Sequence, residues 1–280
     1  MTDWVGSIAC AQEKKWEYDP PASEYPVSTI VFSLDGAYVL MANDGWREAM
    51  VGSLSLYDCD GERRHTIYIG EAPEYGKTDF KKRYEDEIMR LKSLYPDALY
   101  LGIADGAKDN WTFLEQHTQR QLLDFYHVTE YLAKASHAVY PKKSAEAERR
   151  KWLSEHCSLL KHRKNSAQII LDELKAVTSS KLPEAIKKDL EATITYFSNN
   201  IEKNRMNYAC HADEKLPIGS GVTEAACRTL VKQRFCGSGM RWKTKGAKVV
   251  LSLRALVQTT DRWQQFWDRI IQFGVRYQTT

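Results

Sequence analysis

Near residue 128 the hydrophobic pattern of this chain changes period, and that switch limits the folds open to it. Before it, short apolar runs rich in β-branched residues alternate with turn signals. After it, strand signals vanish and Leu and Ile recur at helical spacing among Lys, Glu and Arg. VSTIVFSLD, residues 27–35, reads as a buried central strand that ends at Asp35-Gly36. WREAMVGSLSLYD (46–58) and RRHTIYIGE (63–71) flank Cys59-Asp60-Gly61-Glu62, and Asp-Gly between two β-rich runs predicts a hairpin. In 77–94, Phe80, Tyr84, Ile88 and Leu91 stand three or four apart, the spacing of an amphipathic helix, with Pro96 beyond its end. ALYLGIAD (98–105) is a further strand ending in Asp-Gly, DNWTFLEQ (109–116) a helix, and RQLLDFYH (120–127) a short strand. Three strands, a helix, a strand, a helix and a strand predict an α/β protein with a mixed sheet flanked by helices.

Four stretches follow from this pattern. Residues 1–26, with Pro20-Pro21 and Pro26, form an irregular lead-in, and 27–127 hold the first part of a core. Residues 128–214 are an all-α block divided near 178–183, in which Ile186, Leu190, Ile194, Phe197 and Ile201 keep helical spacing. In 215–280, Gly219-Ser220-Gly221 leads into a helix carrying Glu224, and 245–258 and 260–276 complete the chain as helices. With 43% hydrophobic and 28% charged residues, and no apolar run of about 18 residues, a membrane span is excluded. The N-terminus lacks the basic-then-apolar pattern of a secretory signal, so a cytoplasmic location is expected. Cysteines 10, 59, 157, 210, 227 and 236 form no CxxC pair and are expected to be reduced thiols.

The net charge of +3 is unevenly spread. Arg228, Lys232, Arg234, Arg241, Lys243, Lys245, Lys248 and Arg254 fall within 27 positions that hold no acidic residue, which leaves the remainder of the chain at −5. Such a block is either an anion-binding face or a solvated helix surface.

Asp35 and Asp105 each follow an apolar strand and precede Gly. Two carboxylates at one sheet edge, completed by Glu224 from a helix packed beside them, would suit hard divalent cations. Two such ions about 4 Å apart can activate the attacking oxygen and stabilise the leaving one in phosphodiester cleavage. Asp-Gly is also a common turn, and each residue taken singly fits that role.

At these residues the chain resembles a known family. VFSLDGAYV, LGIADGAKDNW, LLDFYHVTEYL and LPIGSGVTEAACRTLVKQRFCGSGMRW are similar, in order, to the signature blocks of bacterial insertion-sequence transposases of the ISKra family, related to the Mutator-like DDE transposases. The last block is the most specific. The resemblance implies an RNase H-like fold with an all-α insertion before the last catalytic residue. It implies a DDE triad of Asp35, Asp105 and Glu224 holding two Mg2+ ions, for which Mn2+ can substitute. Asp124 and His127 match an Asp-x-x-His motif that shapes the site or touches DNA near the cleaved bond. Double-stranded DNA, as transposon ends and target, is the implied partner, bound by a homodimer or higher oligomer in a nucleoid-associated setting. Arg228, Lys232, Arg234, Arg241, Lys243 and Lys245 are expected to grip phosphates, and Trp242 to stack on an unpaired base or to pack as a surface aromatic. Relatives of this kind carry a further N-terminal region that this chain is expected to lack. The alternative expectation is a catalytically inactive remnant that binds DNA.

Overall fold

The structure is a computed structural model that describes residues 5, 6, 8, 9, 16–19, 25–178 and 182–273. A five-stranded sheet, ordered β3-β2-β1-β4-β5, makes the protein α/β, with its strands in the expected chain order among helices. By packing the chain divides into two compact units, residues 1–100 with 221–280, and residues 101–220. The divisions fall inside β4 and before Gly221, whereas the change of sequence texture falls at 128. Texture follows the type of secondary structure; compactness follows which side chains pack together.

In the first unit β1 (Thr29–Met41), β2 (Gly45–Tyr57) and β3 (Arg63–Glu71) form an antiparallel meander. β1 does not stop at Asp35-Gly36. Asp35 pairs with Val51 and Gly36 with Met50, and the ladder continues to Met41 opposite Gly45. The local turn signal is overridden by pairing with β2, and the absent side chain of Gly36 leaves room for that of Glu48, whose Oε1 would lie 2.1 Å from a Cβ there. The second hairpin forms where expected. Asp58 accepts from the backbone N–H groups of Asp60 (2.9 Å) and Glu62 (3.0 Å) and from Arg64 Nε (2.6 Å), and Gly61 takes φ 79°.

Helix α1 (Thr78–Leu94) buries Phe80, Tyr84, Ile88 and Leu91, the expected stripe. Its Tyr84 hydroxyl donates towards the Ser33 (3.1 Å) and Ser53 (2.8 Å) carbonyls, and Gly52 leaves room for that ring. β4 (Leu99–Ala104) sets out beside β1, where the Leu99 N–H donates to the Ser28 carbonyl at 2.9 Å. The lead-in expected to be irregular is helical at Val5, Gly6, Ile8 and Ala9. Val5, Ile8, Ala9 and Tyr18 pack with Leu256, Phe266 and Ile270.

The second unit continues β4 into a parallel pair with β5 (Arg120–Leu123), joined through α2 (Lys108–His117). The expected strand over 120–127 ends at Leu123, because Asp124 caps a helix instead. The helical block is α3 (Phe125–Val139), α4 (Glu146–His162), α5 (Ser166–Ala176), α6 (Glu184–Glu202) and α7 (Tyr208–Asp213). Of the expected divider at 178–183, Ser179, Ser180 and Lys181 lie outside the described residues. Tyr131 of α3 stacks on Tyr196 of α6 with ring centres 3.9 Å apart. Trp152 and His156 of α4 both hydrogen-bond Glu173 of α5 at 2.8 Å.

The first unit resumes with α8 (Gly221–Ala226), which runs into a π-helical stretch (Cys227–Lys232) and α9 (Gln233–Phe235). The wider π turn leaves carbonyls without their usual partners. The Arg254 guanidinium, from α10 (Thr244–Gln258), donates to the carbonyls of Thr229 and Leu230. Helix α11 (Arg262–Phe273) ends the described chain. Among the described residues no helix is long and apolar enough to cross a membrane, and Cys59, Cys157, Cys210, Cys227 and Cys236 are free thiols. Cys10 lies outside the described residues.

Candidate functional site

Within the first unit, two of the three expected carboxylates converge on one thiol. Side chains alternate along a strand, so Asp35 shares the face of Ala37, Val39 and Met41. Those three residues pack with Ala226, Cys227, Leu230 and Val231, which brings α8 and the π stretch onto that face. The Thr223 and Ser53 hydroxyls are hydrogen-bonded at 2.6 Å, tying α8 to β2 one residue before Glu224. Cys227 donates its thiol proton to Asp35. Burial pushes the Cys227 thiol well above its ordinary range, and the negative charges of Asp35 and Glu224 push it further, against a smaller opposing effect of Lys232. The carboxylate oxygens of Asp35 and Glu224 are the hard donors on this face. Asp35 and Glu224 are both half-buried, and Asp35 Oδ1 also accepts from the Gly36 N–H at 2.7 Å.

Asp105 belongs to the second unit and follows the last residue of β4. Its Oδ1 accepts from the Ala107 N–H at 3.1 Å, the local role open to an Asp before Gly, while the other oxygen is not engaged in that turn. Gly106 takes φ 108°, a left-handed conformation that favours glycine, and a Cβ there would meet Tyr196 Cε2 at 3.0 Å. The Tyr196 hydroxyl donates to the Asp105 carbonyl at 2.9 Å, so α6 fixes the backbone at this carboxylate.

Asp124 is an inward-facing residue at the start of α3. Its side chain is fully buried and so does not reach DNA. Oδ1 caps α3 by accepting from the His127 N–H at 3.1 Å. Oδ2 accepts from the Ser220 hydroxyl at 2.5 Å and from the Ser220 N–H. Asp124 therefore holds the α3 start and the 218–220 segment together, aided by the Phe125 N–H donating to the Ile218 carbonyl at 3.1 Å. His127 is half-exposed on the first turn of α3, with Nδ1 3.5 Å from Glu130 Oε2.

The basic block separates into two sets. Arg254 is turned inward onto the π turn, and Lys248 lies 3.2 Å from Asp79 Oδ2 and 3.9 Å from Glu71 Oε1. Arg228, Lys232, Arg234, Arg241, Lys243 and Lys245 are exposed. Trp242 is packed. Its ring lies 4.6 Å from that of Phe235, its Nε1 donates to the Phe235 carbonyl at 3.2 Å, and Arg234 covers it at 5.1 Å. Its backbone bridges to Met41, and these contacts fit the expected alternative of a packed aromatic. Sequence reasoning missed Cys227 and Thr223, whose roles depend on β1 and β2 lying against α8.

No protein-family model matches the chain, and comparison with curated proteins finds no significant match.

Proposed function

We propose that the chain is the catalytic core of a DNA transposase of the DDE type, with an RNase H-like fold, cutting and joining DNA strands with two divalent metal ions. The observation that carries this reading is the packing of the helix of Glu224 onto the face of the central strand that holds Asp35, with the Thr223 and Ser53 hydroxyls hydrogen-bonded at 2.6 Å one residue before Glu224. The family likeness supplies Asp105, directly after β4, as the third carboxylate.

The donor chemistry fits the metal. Carboxylate oxygens favour hard cations such as Mg2+ or Mn2+. Asp35, Asp105 and Glu224 would hold the ions. When bound, they would supply charge stabilisation to the attacking and leaving oxygens of an in-line displacement. The chain's own part is to orient these oxygens. Ser53 and Thr223 fix the helix of Glu224, Tyr196 fixes the backbone of Asp105, and Asp124 fixes the helix that presents His127. Exposed His127 and the six exposed cations would bind double-stranded DNA, the transposon end and its target, and two ends would require a dimer or larger assembly.

The test is metal-dependent cleavage of labelled duplex DNA with Mg2+ or Mn2+. Wild type is expected to cut, and Asp35→Asn and Glu224→Gln to lose cutting while folding and binding DNA as before. Cutting retained by both variants would overturn the reading. The exposed cations favour one further reading, a catalytically inactive protein that only binds DNA. A folded wild type that binds DNA in a salt-dependent way and never cuts it would establish that instead.

A further inference from the structure

We propose that the outer end of the β1–β2 hairpin, with Tyr38, Trp46, Arg241 and Lys243, is a docking surface for an unpaired nucleic-acid strand. This deepens the nucleic-acid reading above and rests on it for the class of partner.

Tyr38 and Trp46 are 62% and 61% exposed, which is unusual for aromatic side chains lying within a regular sheet. They share one face. Tyr38 pairs with Glu48 and Leu40 with Trp46, and residues directly opposite in an antiparallel ladder project to the same side. The face is not the one that meets α8, because Val39 and Met41 alternate with Tyr38 and Leu40 and belong to the buried cluster there.

The cations reach this face through the backbone of Trp242. The Trp242 N–H donates to the Leu40 carbonyl at 3.0 Å, and the Ala42 N–H donates to the Trp242 carbonyl at 2.8 Å, adding a short parallel bridge along the end of β1. The Trp242 ring turns to the buried side, against Phe235. Alternation along the extended chain therefore sends its neighbours, Arg241 and Lys243, to the side of Leu40, Tyr38 and Trp46. Both are exposed. Two strand spacings, about 10 Å, separate the column of Trp46 from that of Arg241 and Lys243. Of the acidic groups at this end, Glu48 is paired with Lys77 at 2.7 Å and Asp44 is exposed in the hairpin turn, so Arg241, Lys243 and Lys77 outnumber the carboxylates beside the aromatic faces.

Charge complementarity selects the occupant. Cations suit a phosphate backbone, and an exposed indole and phenol suit bases whose faces are free, which those of a closed duplex are not. The stacking role expected of Trp242 thus falls to Tyr38 and Trp46, one and two strands further along the same edge.

The test is equilibrium binding of a fluorescent single-stranded oligonucleotide and of the matching duplex, in EDTA so that no cleavage occurs. Trp46→Ala and Tyr38→Ala are expected to weaken single-strand binding about 5- to 100-fold, Trp46→Phe to restore much of it, and duplex binding to change less than about 2-fold. Arg241→Gln with Lys243→Gln is expected to weaken binding and reduce its salt dependence. Single-strand binding unchanged in Trp46→Ala and Tyr38→Ala would overturn the proposal. So would an equal loss for duplex, or a loss of self-association alone in sedimentation. Because binding is read without metal, a protein that never cuts DNA but shows this single-strand pattern would refute the catalytic reading and leave the surface standing.

Discussion

Replacing Asp124 with Ala tests the claim that this residue is a buried clasp. Three donors converge on its carboxylate, the His127 N–H at 3.1 Å, the Ser220 hydroxyl at 2.5 Å and the Ser220 N–H, and all of the side chain is enclosed. Loss of the helix cap costs about 1 kcal/mol. Leaving the buried Ser220 N–H without its acceptor adds about 1–3 kcal/mol, while the hydroxyl can rotate to another acceptor. The expected destabilisation is therefore about 2–4 kcal/mol. Asp124→Asn keeps one acceptor oxygen and turns an amide N–H2 towards either Ser220 or the α3 cap, so it should recover only part of the loss. Urea unfolding followed by circular dichroism measures the change, and amide exchange at Ser220 and His127 localises it. Because the chain holds two compact units, the exchange data decide whether a single transition describes the loss. A change below about 0.5 kcal/mol in Asp124→Ala, or unaltered protection at both amides, would refute the clasp. If instead Asp124→Ala folded normally and lost DNA cleavage, a direct part in the chemistry would replace the clasp as its role.

Gly52→Ala places a methyl group 2.4 Å from Tyr84 Cε2 and is expected to cost about 1–3 kcal/mol by overpacking, read from the same unfolding curves. A stable Gly52→Ala variant would mean that α1 can move away from β2. His211 gives a pH dependence. Burial, aided by the Arg120 charge and opposed by Glu214, lowers the imidazole from 6.5 to about 4. The unfolded chain then binds more protons than the fold below pH 6.5, so stability falls as pH drops through that value and levels off near pH 4. The effect is at most about 3 kcal/mol, reduced by the water that still reaches the ring. Unfolding free energies measured between pH 7 and 4 should lose that part of their slope in His211→Phe, and an unchanged slope would refute the assignment.

Much of the architecture was legible because local pattern and tertiary environment agree. The stripe Phe80, Tyr84, Ile88, Leu91 is the buried face of α1, and Asp60-Gly61 marks the turn between β2 and β3. Reading failed where two local signals competed. Asp35-Gly36 has turn chemistry, yet thirteen paired positions along β2 hold β1 extended through it. Asp124 could end a strand or cap a helix, and the Ser220 groups that need its second oxygen lie 96 positions away. The likeness to DDE transposases named Asp35, Asp105 and Glu224, but the packing of Glu224's helix on β1 and β2 has no trace in their spacing.

The sequence by itself determined most of the strands and helices, since hydrophobic period is a property of neighbours along the chain. It also determined where carboxylates and cations are concentrated. Only the tertiary structure decided what those side chains face. Asp35 shares a proton with Cys227, Arg254 is spent on the π turn, Trp242 is packed, and Trp46 and Tyr38 remain exposed. The physical reason is that hydrogen-bond partners and burial are set by contacts between residues far apart in the chain, which no local period encodes.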